Sequence, residues 1–282
     1  MRQNKAIVCT LLTASVLLIS TPSDATSNGA SSDTFAGRNL IVYVPARLPS
    51  EGARSLVIVL HGGLGNAQRI ESKQAENGLN LDAAAQKNGF IVAYLNGTPV
   101  TRLSANMLGW NAGGGCCGLS AANNVDDVGY IEKTANYLAE KYAVDRHHIY
   151  GMGHSNGAMM VQRMACETNL FAAIMAIAGP LNLHVQSCSA AHGQRILAIH
   201  GADDQNVPLG GGRGSKGISQ VNYNSEELSK QTFIHSGASY ELQVVPAADH
   251  YLQHLDSAIE RAEGHTIAEK ATRFFGIASG GQ

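Results

Sequence analysis

A glycine-flanked serine, set between a strand pattern and a helix pattern, constrains this chain more than any other feature. Residues 153–157 read Gly153-His154-Ser155-Asn156-Gly157. The short, partly apolar run 148–152 precedes them, and 158–165 follows as a good helix former. A Gly-x-Ser-x-Gly between strand and helix reads as a nucleophile elbow. The turn is so tight that side chains two residues either side of the serine would clash, which explains Gly153 and Gly157. Ser155 is then held in a strained backbone conformation, its hydroxyl exposed at the positive end of the following helix.

The motif gains weight from its surroundings. Residues 55–60 form a continuous apolar run of the buried parallel type. Strands are expected over 40–44, 90–94, 148–152, 171–177, 196–200 and 242–245. Helices are expected over 79–87, 126–142, 225–232 and 259–275, besides the one after the elbow. The 126–142 helix is strongly amphipathic, with Val128, Ile131, Ala135, Leu138 and Tyr142 at helical spacing. Strands alternating with helices predict an α/β fold with a mostly parallel central sheet covered on both faces, in a single domain.

A chain of 282 residues with 44% hydrophobic and 15% charged residues can bury a large core. Its formal charge of −2 gives no electrostatic case for nucleic acid or acidic membranes as partners. Arg2 and Lys5, the apolar stretch 6–19, and Ser23-Asp24-Ala25 predict a cleavable signal peptide over 1–25. A secreted or periplasmic protein with no membrane contact after cleavage is the expectation, an uncleaved anchor being the alternative. Residues 26–37 read as a flexible lead-in, 38–277 as the catalytic domain and 278–282 as a tail. Cys116, Cys117, Cys166 and Cys188 remain after cleavage, an even number that suggests disulfides. Of three connectivities, Cys166 with Cys188 is favoured, since the end of the helix after the elbow and the loop after the next strand are neighbours. Cys116 and Cys117 would then form a vicinal bridge. Free buried thiols are the other reading.

A serine hydroxyl is a poor nucleophile until a base takes its proton, and that base is oriented by a buried carboxylate. In this architecture the chain order is serine, acid, histidine. Asp204, in the loop after the strand ending at His200, is the candidate acid, with Asp203 its competitor. His235, His250, His254 and His265 follow it. His250 comes directly after the 242–245 strand and is the candidate base. His254 and His265 read as solvated helix positions. The oxyanion of an attacked ester needs preorganised donors. The backbone N–H groups of Asn156 and Gly63 are the candidates, Gly63 lying in His61-Gly62-Gly63-Leu64-Gly65 just after the buried strand. His61 reads as a loop anchor and His147-His148 as a surface pair. No metal or other cofactor is implied.

Trp110-Asn111-Ala112-Gly113-Gly114-Gly115-Cys116-Cys117-Gly118, then Val125-Asp126-Asp127-Val128-Gly129-Tyr130, the elbow, and the 200–208 segment together resemble the poly(3-hydroxybutyrate) depolymerase family of secreted esterases, which includes feruloyl and acetylxylan esterases. The resemblance runs in order from Arg38 to the last helix. It implies an α/β-hydrolase fold and hydrolysis of carboxylic esters through an acyl-enzyme, hydroxyalkanoate esters first and feruloyl or acetyl esters on plant polysaccharide as the alternative. Carried over by position, Ser155 is nucleophile, Asp204 orienting acid and His250 base. Trp110, Asn111 and His154 would bind substrate. Read without the family, Trp110 divides between core and site, and Asp126 and Asp127 cap the following helix. This chain departs from the family where Ala247-Ala248-Asp249 replaces a glycine-rich stretch before the histidine, which alters the cleft wall beside it. A serine peptidase and a non-catalytic binding protein are the remaining readings. The first is disfavoured because no extra N-terminal domain restricts the site, the second because elbow, acid, base and oxyanion loop are all present.

Overall fold

The computed structural model describes residues 29–277 apart from positions 52, 218 and 220. The expected signal peptide and the 278–282 tail lie outside the described residues.

The chain begins with strands β1 (Gly29–Phe35), β2 (Arg38–Val44) and β3 (Arg54–Leu60), then helices α1 (Ala67–Glu71) and α2 (Asp82–Asn88) and strand β4 (Ile91–Leu95). A short pair, β5 (Thr98–Thr101) and β6 (Ser104–Gly109), is followed by α3 (Gly118–Ala122) and α4 (Asp127–Tyr142). The second half runs β7 (Val144–His154), α5 (Asn156–Glu167), β8 (Ala173–Ile177), β9 (Arg195–Gly201), α6 (Glu226–His235), β10 (Ser239–Val245), α7 (Leu252–Glu263) and α8 (Ile267–Phe275).

Eight strands form one sheet in the order β1-β2-β4-β3-β7-β8-β9-β10. The β1–β2 and β2–β4 pairs are antiparallel, and every pair from β4 to β10 is parallel. Successive residues of β3 face opposite ways, as the two-residue period of a strand requires. Leu56, Ile58 and Leu60 pack with α4 and α5 on one face, while Val57 and Val59 pack with α1, α2, α7 and α8 on the other. Both faces are therefore dry, which explains why β3 reads as an unbroken apolar run.

Three expectations change. Residues 29–35, expected within a mobile lead-in, pair along their whole length with β2 as an edge strand. Its residues alternate half-buried and exposed: Phe35 stacks on Tyr137 against the core, while Ser32 and Thr34 face outward. The single helix expected over 259–275 is two helices. Gly264 ends α7 in the left-handed conformation, and Thr266 starts α8 with a capping box to Glu269. His265 sits in that break rather than within a helix. The helix expected from residue 79 begins at Asp82, whose carboxylate accepts a hydrogen bond from the Tyr94 hydroxyl.

Candidate active site

The elbow forms where β7 meets α5. Ser155 has φ 55° and ψ −119°, a left-handed backbone that a non-glycine residue occupies only at a cost of about 1–3 kcal/mol. Packing holds it there. A Cβ on Gly153 would strike the Gly157 carbonyl, and a Cβ on Gly157 would strike the carbonyls of Leu60 and His61. The Ser155 N–H donates to the Ile177 carbonyl on β8 at 2.8 Å. Its side chain thus stands at the carboxyl edge of the parallel strands, where open α/β sheets bind ligands.

The loops after β9 and β10 meet the elbow at that edge. His250 Nε2 lies 2.9 Å from Ser155 Oγ, and its Nδ1 lies 2.7 Å from Asp204 Oδ2. With Nδ1–H donating to the carboxylate, Nε2 is free to accept the serine proton. Asp204 Oδ1 accepts from the backbone N–H groups of Asn206 and Val207, both at 2.8 Å. Burial alone would raise the Asp204 carboxyl, but hydrogen bonds from His200 and His250 outweigh it and hold the group well below the usual carboxylate range. Asp203 is exposed. His254 is exposed and bound to Asp249, and His265 bonds the Glu263 carbonyl. The structure thus brings together Ser155, Asp204 and His250, and leaves their sequence competitors outside.

Gly201 lets the two loops touch, since a Cβ there would strike the Ala248 and Asp249 carbonyls. Ala247 takes φ 54° in the β10 loop, a left-handed position that suits the glycine-rich stretch it replaces. His154 is buried beside the triad, and its Nε2–H donates to the His250 carbonyl at 2.9 Å. Burial first, then the neighbouring His250, pulls His154 down to about 3, so the ring is neutral. It lines the cleft, yet its contact is with the His250 backbone.

The two oxyanion candidates flank the serine. Asn156 opens α5, where a backbone N–H has no intrahelical acceptor. Gly63 lies in the turn closed by the Gly65 N–H on the Gly62 carbonyl. His61 anchors that turn: Nδ1 bonds the Gly62 carbonyl at 2.8 Å and Nε2 accepts from the Gly97 N–H. Burial lowers this ring to about 4.

Trp110 and Asn111, expected to line the cleft, are buried and do not line it. Trp110 is fully buried behind the cleft, its indole N–H donating to the His61 carbonyl at 2.9 Å. Asn156 clasps its backbone from the other side, accepting from the Trp110 N–H at 2.7 Å and donating to its carbonyl at 3.1 Å. Asn111 donates its backbone N–H to Asp127, and its amide to Asn124 and the Val125 carbonyl. Asp127 is buried and paired with Arg38 at 2.6 Å, while Asp126 caps α4. These residues brace the loop that ends in Cys116 and Cys117, which do reach the cleft. Cys116 is bonded to Cys117, and Cys166 to Cys188.

The cleft encloses about 510 Å³, in the range of small-ligand sites. Beyond Ser155, His250 and Gly63 its wall includes Leu64, Ile70, Val100, Met159, Tyr223 and Tyr251, while Asp204 lies buried behind His250. A groove of about 930 Å³ between α2, α7 and α8 is larger, but it shares no lining residue with Ser155, Asp204 or His250. Among the described residues no group of three or more His, Cys, Asp or Glu is placed to hold a metal ion.

One buried cluster has no signature in the sequence. His200, at the end of β9, places Nδ1 2.8 Å from Glu226 Oε1 on α6, and Nε2 2.8 Å from the Val207 carbonyl. The same Nε2 lies 3.2 Å from Asp204 Oδ2. Burial pulls His200 down, but hydrogen bonds to Asp204 and Glu226 and the field of both carboxylates win, and push it to about 10. Glu226 Oε2 accepts from the Tyr240 hydroxyl at 2.8 Å.

An elbow serine hydrogen-bonded to a histidine that is hydrogen-bonded to a carboxylate, at the carboxyl edge of such a sheet, is the arrangement of the α/β hydrolases, and this chain has that fold. Comparison with known proteins agrees. Residues 83–192 match the prolyl oligopeptidase family, a stretch that holds the elbow but neither Asp204 nor His250. The chain is 31% identical over 159 residues to a putative esterase, NocK, of Nocardia uniformis subsp. tsuyamanensis, covering 56% of this chain and 42% of that one. It is 26% identical over 181 residues to a probable feruloyl esterase C of Aspergillus clavatus, covering 63% and 58%. The chain thus spans about half the length of these curated relatives. An acetyl xylan esterase structure from Aspergillus awamori superposes with a TM-score of 0.57 at 15% identity, over 89% of this chain and 100% of that one.

Proposed function

We propose that this protein is a serine esterase that hydrolyses carboxylic esters through an acyl-enzyme. The observation that carries the reading is His250, bridging Ser155 Oγ at 2.9 Å and Asp204 Oδ2 at 2.7 Å. In the reaction, Ser155 Oγ attacks the ester carbonyl while His250 Nε2 takes its proton. The N–H groups of Asn156 and Gly63 receive the oxyanion. His250 then returns the proton to the departing alkoxide. Water, deprotonated by the same ring, releases the acid and restores Ser155. Asp204 holds the ring in the tautomer that makes this possible and stabilises its charged form.

The favoured substrate is a feruloyl or acetyl ester on polysaccharide, supported by the relative named a feruloyl esterase. Hydroxyalkanoate esters are the second reading, supported by the Trp110–Gly118 and elbow motifs. Both fit a protein exported to an oxidising compartment, for which the two disulfides argue.

Wild type and Ser155→Ala, assayed on p-nitrophenyl butyrate, ethyl ferulate, acetylated xylan and amorphous poly(3-hydroxybutyrate), test these statements. Ser155-dependent release from ferulate or xylan supports the favoured substrate. Release of 3-hydroxybutyrate alone selects the second. Equal turnover by wild type and Ser155→Ala on every ester would remove the function itself.

A further inference from the structure

We propose that His200 is a positioning residue, held as an imidazolium between Asp204 and Glu226, that sets the charge Asp204 presents to His250. The inference rests on the esterase reading for its kinetic consequence, but the charge on His200 is tested separately from it.

The geometry leaves the ring no neutral state that satisfies its partners. Both nitrogens face oxygens: Glu226 Oε1 at Nδ1, and the Val207 carbonyl and Asp204 Oδ2 at Nε2. A neutral imidazole has one N–H, so its other nitrogen would meet an oxygen lone pair in a fully buried place. The proton could leave the ring only by moving to a carboxylate, and both carboxylates are arranged to stay ionised. Glu226 accepts the Tyr240 hydroxyl on its second oxygen and is the first residue of α6, where the helix dipole favours negative charge. Asp204 accepts two backbone N–H groups on Oδ1 and two imidazoles on Oδ2. A carboxylate with that many donors keeps its charge.

The ionisable groups around His200 are Asp204 from the loop after β9, Glu226 from α6, Tyr240 from β10 bonded to Glu226, His250 from the β10 loop bonded to Asp204, and His154 from β7. With His200 positive and both carboxylates negative, the resting cluster carries one net negative charge. It becomes neutral when His250 takes the serine proton. His200 therefore moderates Asp204: it withdraws part of the field that would otherwise hold a proton on His250, and keeps that ring available as a base. Glu226 limits the withdrawal.

Opposite substitutions must move the acid limb of kcat/KM in opposite directions. His200→Gln removes a positive charge and should raise the apparent pKa of that limb by on the order of one unit. Glu226→Gln leaves His200 less compensated and should lower it by a similar amount. The double variant should return toward wild type. A merely structural role would lower stability and kcat in each variant without moving the limb. Shifts of the same sign, or none, overturn the proposal.

Nitrogen-15 NMR of the ring nitrogens in the unaltered protein decides the matter even if a variant does not fold. The expected result at pH 8 is one histidine with both nitrogens protonated, assigned to His200 through its coupling to the backbone. A His200 ring with one bare nitrogen at pH 8 overturns the proposal. A charged His200 in a protein that hydrolyses no ester would sink the esterase reading and leave this assignment standing.

Discussion

Ser155, Asp204 and His250 stand at the ends of β7, β9 and β10, in backbone fixed by the sheet and by side chains buried on every side. The other wall of the cleft is drawn from β5 and the end of the 110–118 loop, and it is built differently. Val100 and Thr101 reach the cleft from a two-stranded pair outside the main sheet, and Leu103 at its tip is 96% exposed. On the first wall each polar atom of the triad has its partners. On the second, the buried residues Trp110, Asn111 and Asn156 serve to hold a loop in place. Reacting groups must be fixed to fractions of an ångström, and a parallel sheet edge does this well. A wall that only contacts substrate can be irregular, and its residues are set by whatever is bound.

The sharpest break of this contrast is at the acid. Asp204→Asn should lower ester turnover about 10⁴-fold by mis-setting the His250 tautomer. Asp203→Asn should leave the rate unchanged, because Asp203 is exposed and outside the triad. Loss of turnover in Asp203→Asn with near-normal Asp204→Asn would reverse the assignment.

The buried histidines should show in the pH dependence of stability. His61 and His154 titrate at about 4 and about 3 in the folded protein, burial being the first cause. The unfolded chain binds these protons near 6.5. Stability is therefore whole above 6.5 and falls as pH drops toward 4, by about 1.4 kcal/mol per pH unit for each ring. His200 works in the other direction. Its folded value of about 10 lies above the unfolded one, so its contribution is whole below 6.5 and is lost as pH rises toward 10. Urea midpoints measured from pH 4 to 9 should peak near neutrality. A midpoint that is flat between 6.5 and 4 would show that the two rings are not buried neutral.

Trp110→Phe keeps one aromatic ring, leaves space at a fully buried position and removes the indole N–H that satisfies the His61 carbonyl. It should cost about 1–3 kcal/mol of stability and leave KM for a small ester unchanged. A large rise in KM with normal stability would restore Trp110 to the cleft wall. The smallest effect belongs to the hairpin tip. Leu103→Asp should change stability by less than about 0.5 kcal/mol and leave hydrolysis of a soluble ester as it was.

The same contrast governs what could be read from the sequence. The elbow was legible because steric rules force glycine at two fixed spacings from the serine. The strands of the parallel sheet were legible because both faces are covered and their residues are almost all apolar. Trp110 was not legible as a brace, since its partner Asn156 lies 46 residues away and a lone tryptophan beside glycines carries no direction. The His200–Glu226 pair joins residues 26 apart on different elements, and neither has a neighbour pattern of its own. β1 was not legible because Phe35 is its one large apolar residue and the rest are small or polar, too little to show the two-residue period. The break between α7 and α8 carries its own signals, Gly264 as a stop and Thr266-x-x-Glu269 as a start, but the apolar spacing continues across them and masks it.

The separation of the triad along the chain has a consequence for timing. The Ser155–His250 contact closes a loop of 95 residues, and His250 comes after the last strand of the sheet. No fragment emerging from the ribosome can hold the reacting pair until nearly all of the sheet has been synthesised. Contacts this distant form slowly, because the entropy of closing the loop is spent before the contact returns anything. The nascent or unfolded chain therefore carries Ser155 without its histidine partner, and the pair comes together as a late event of folding.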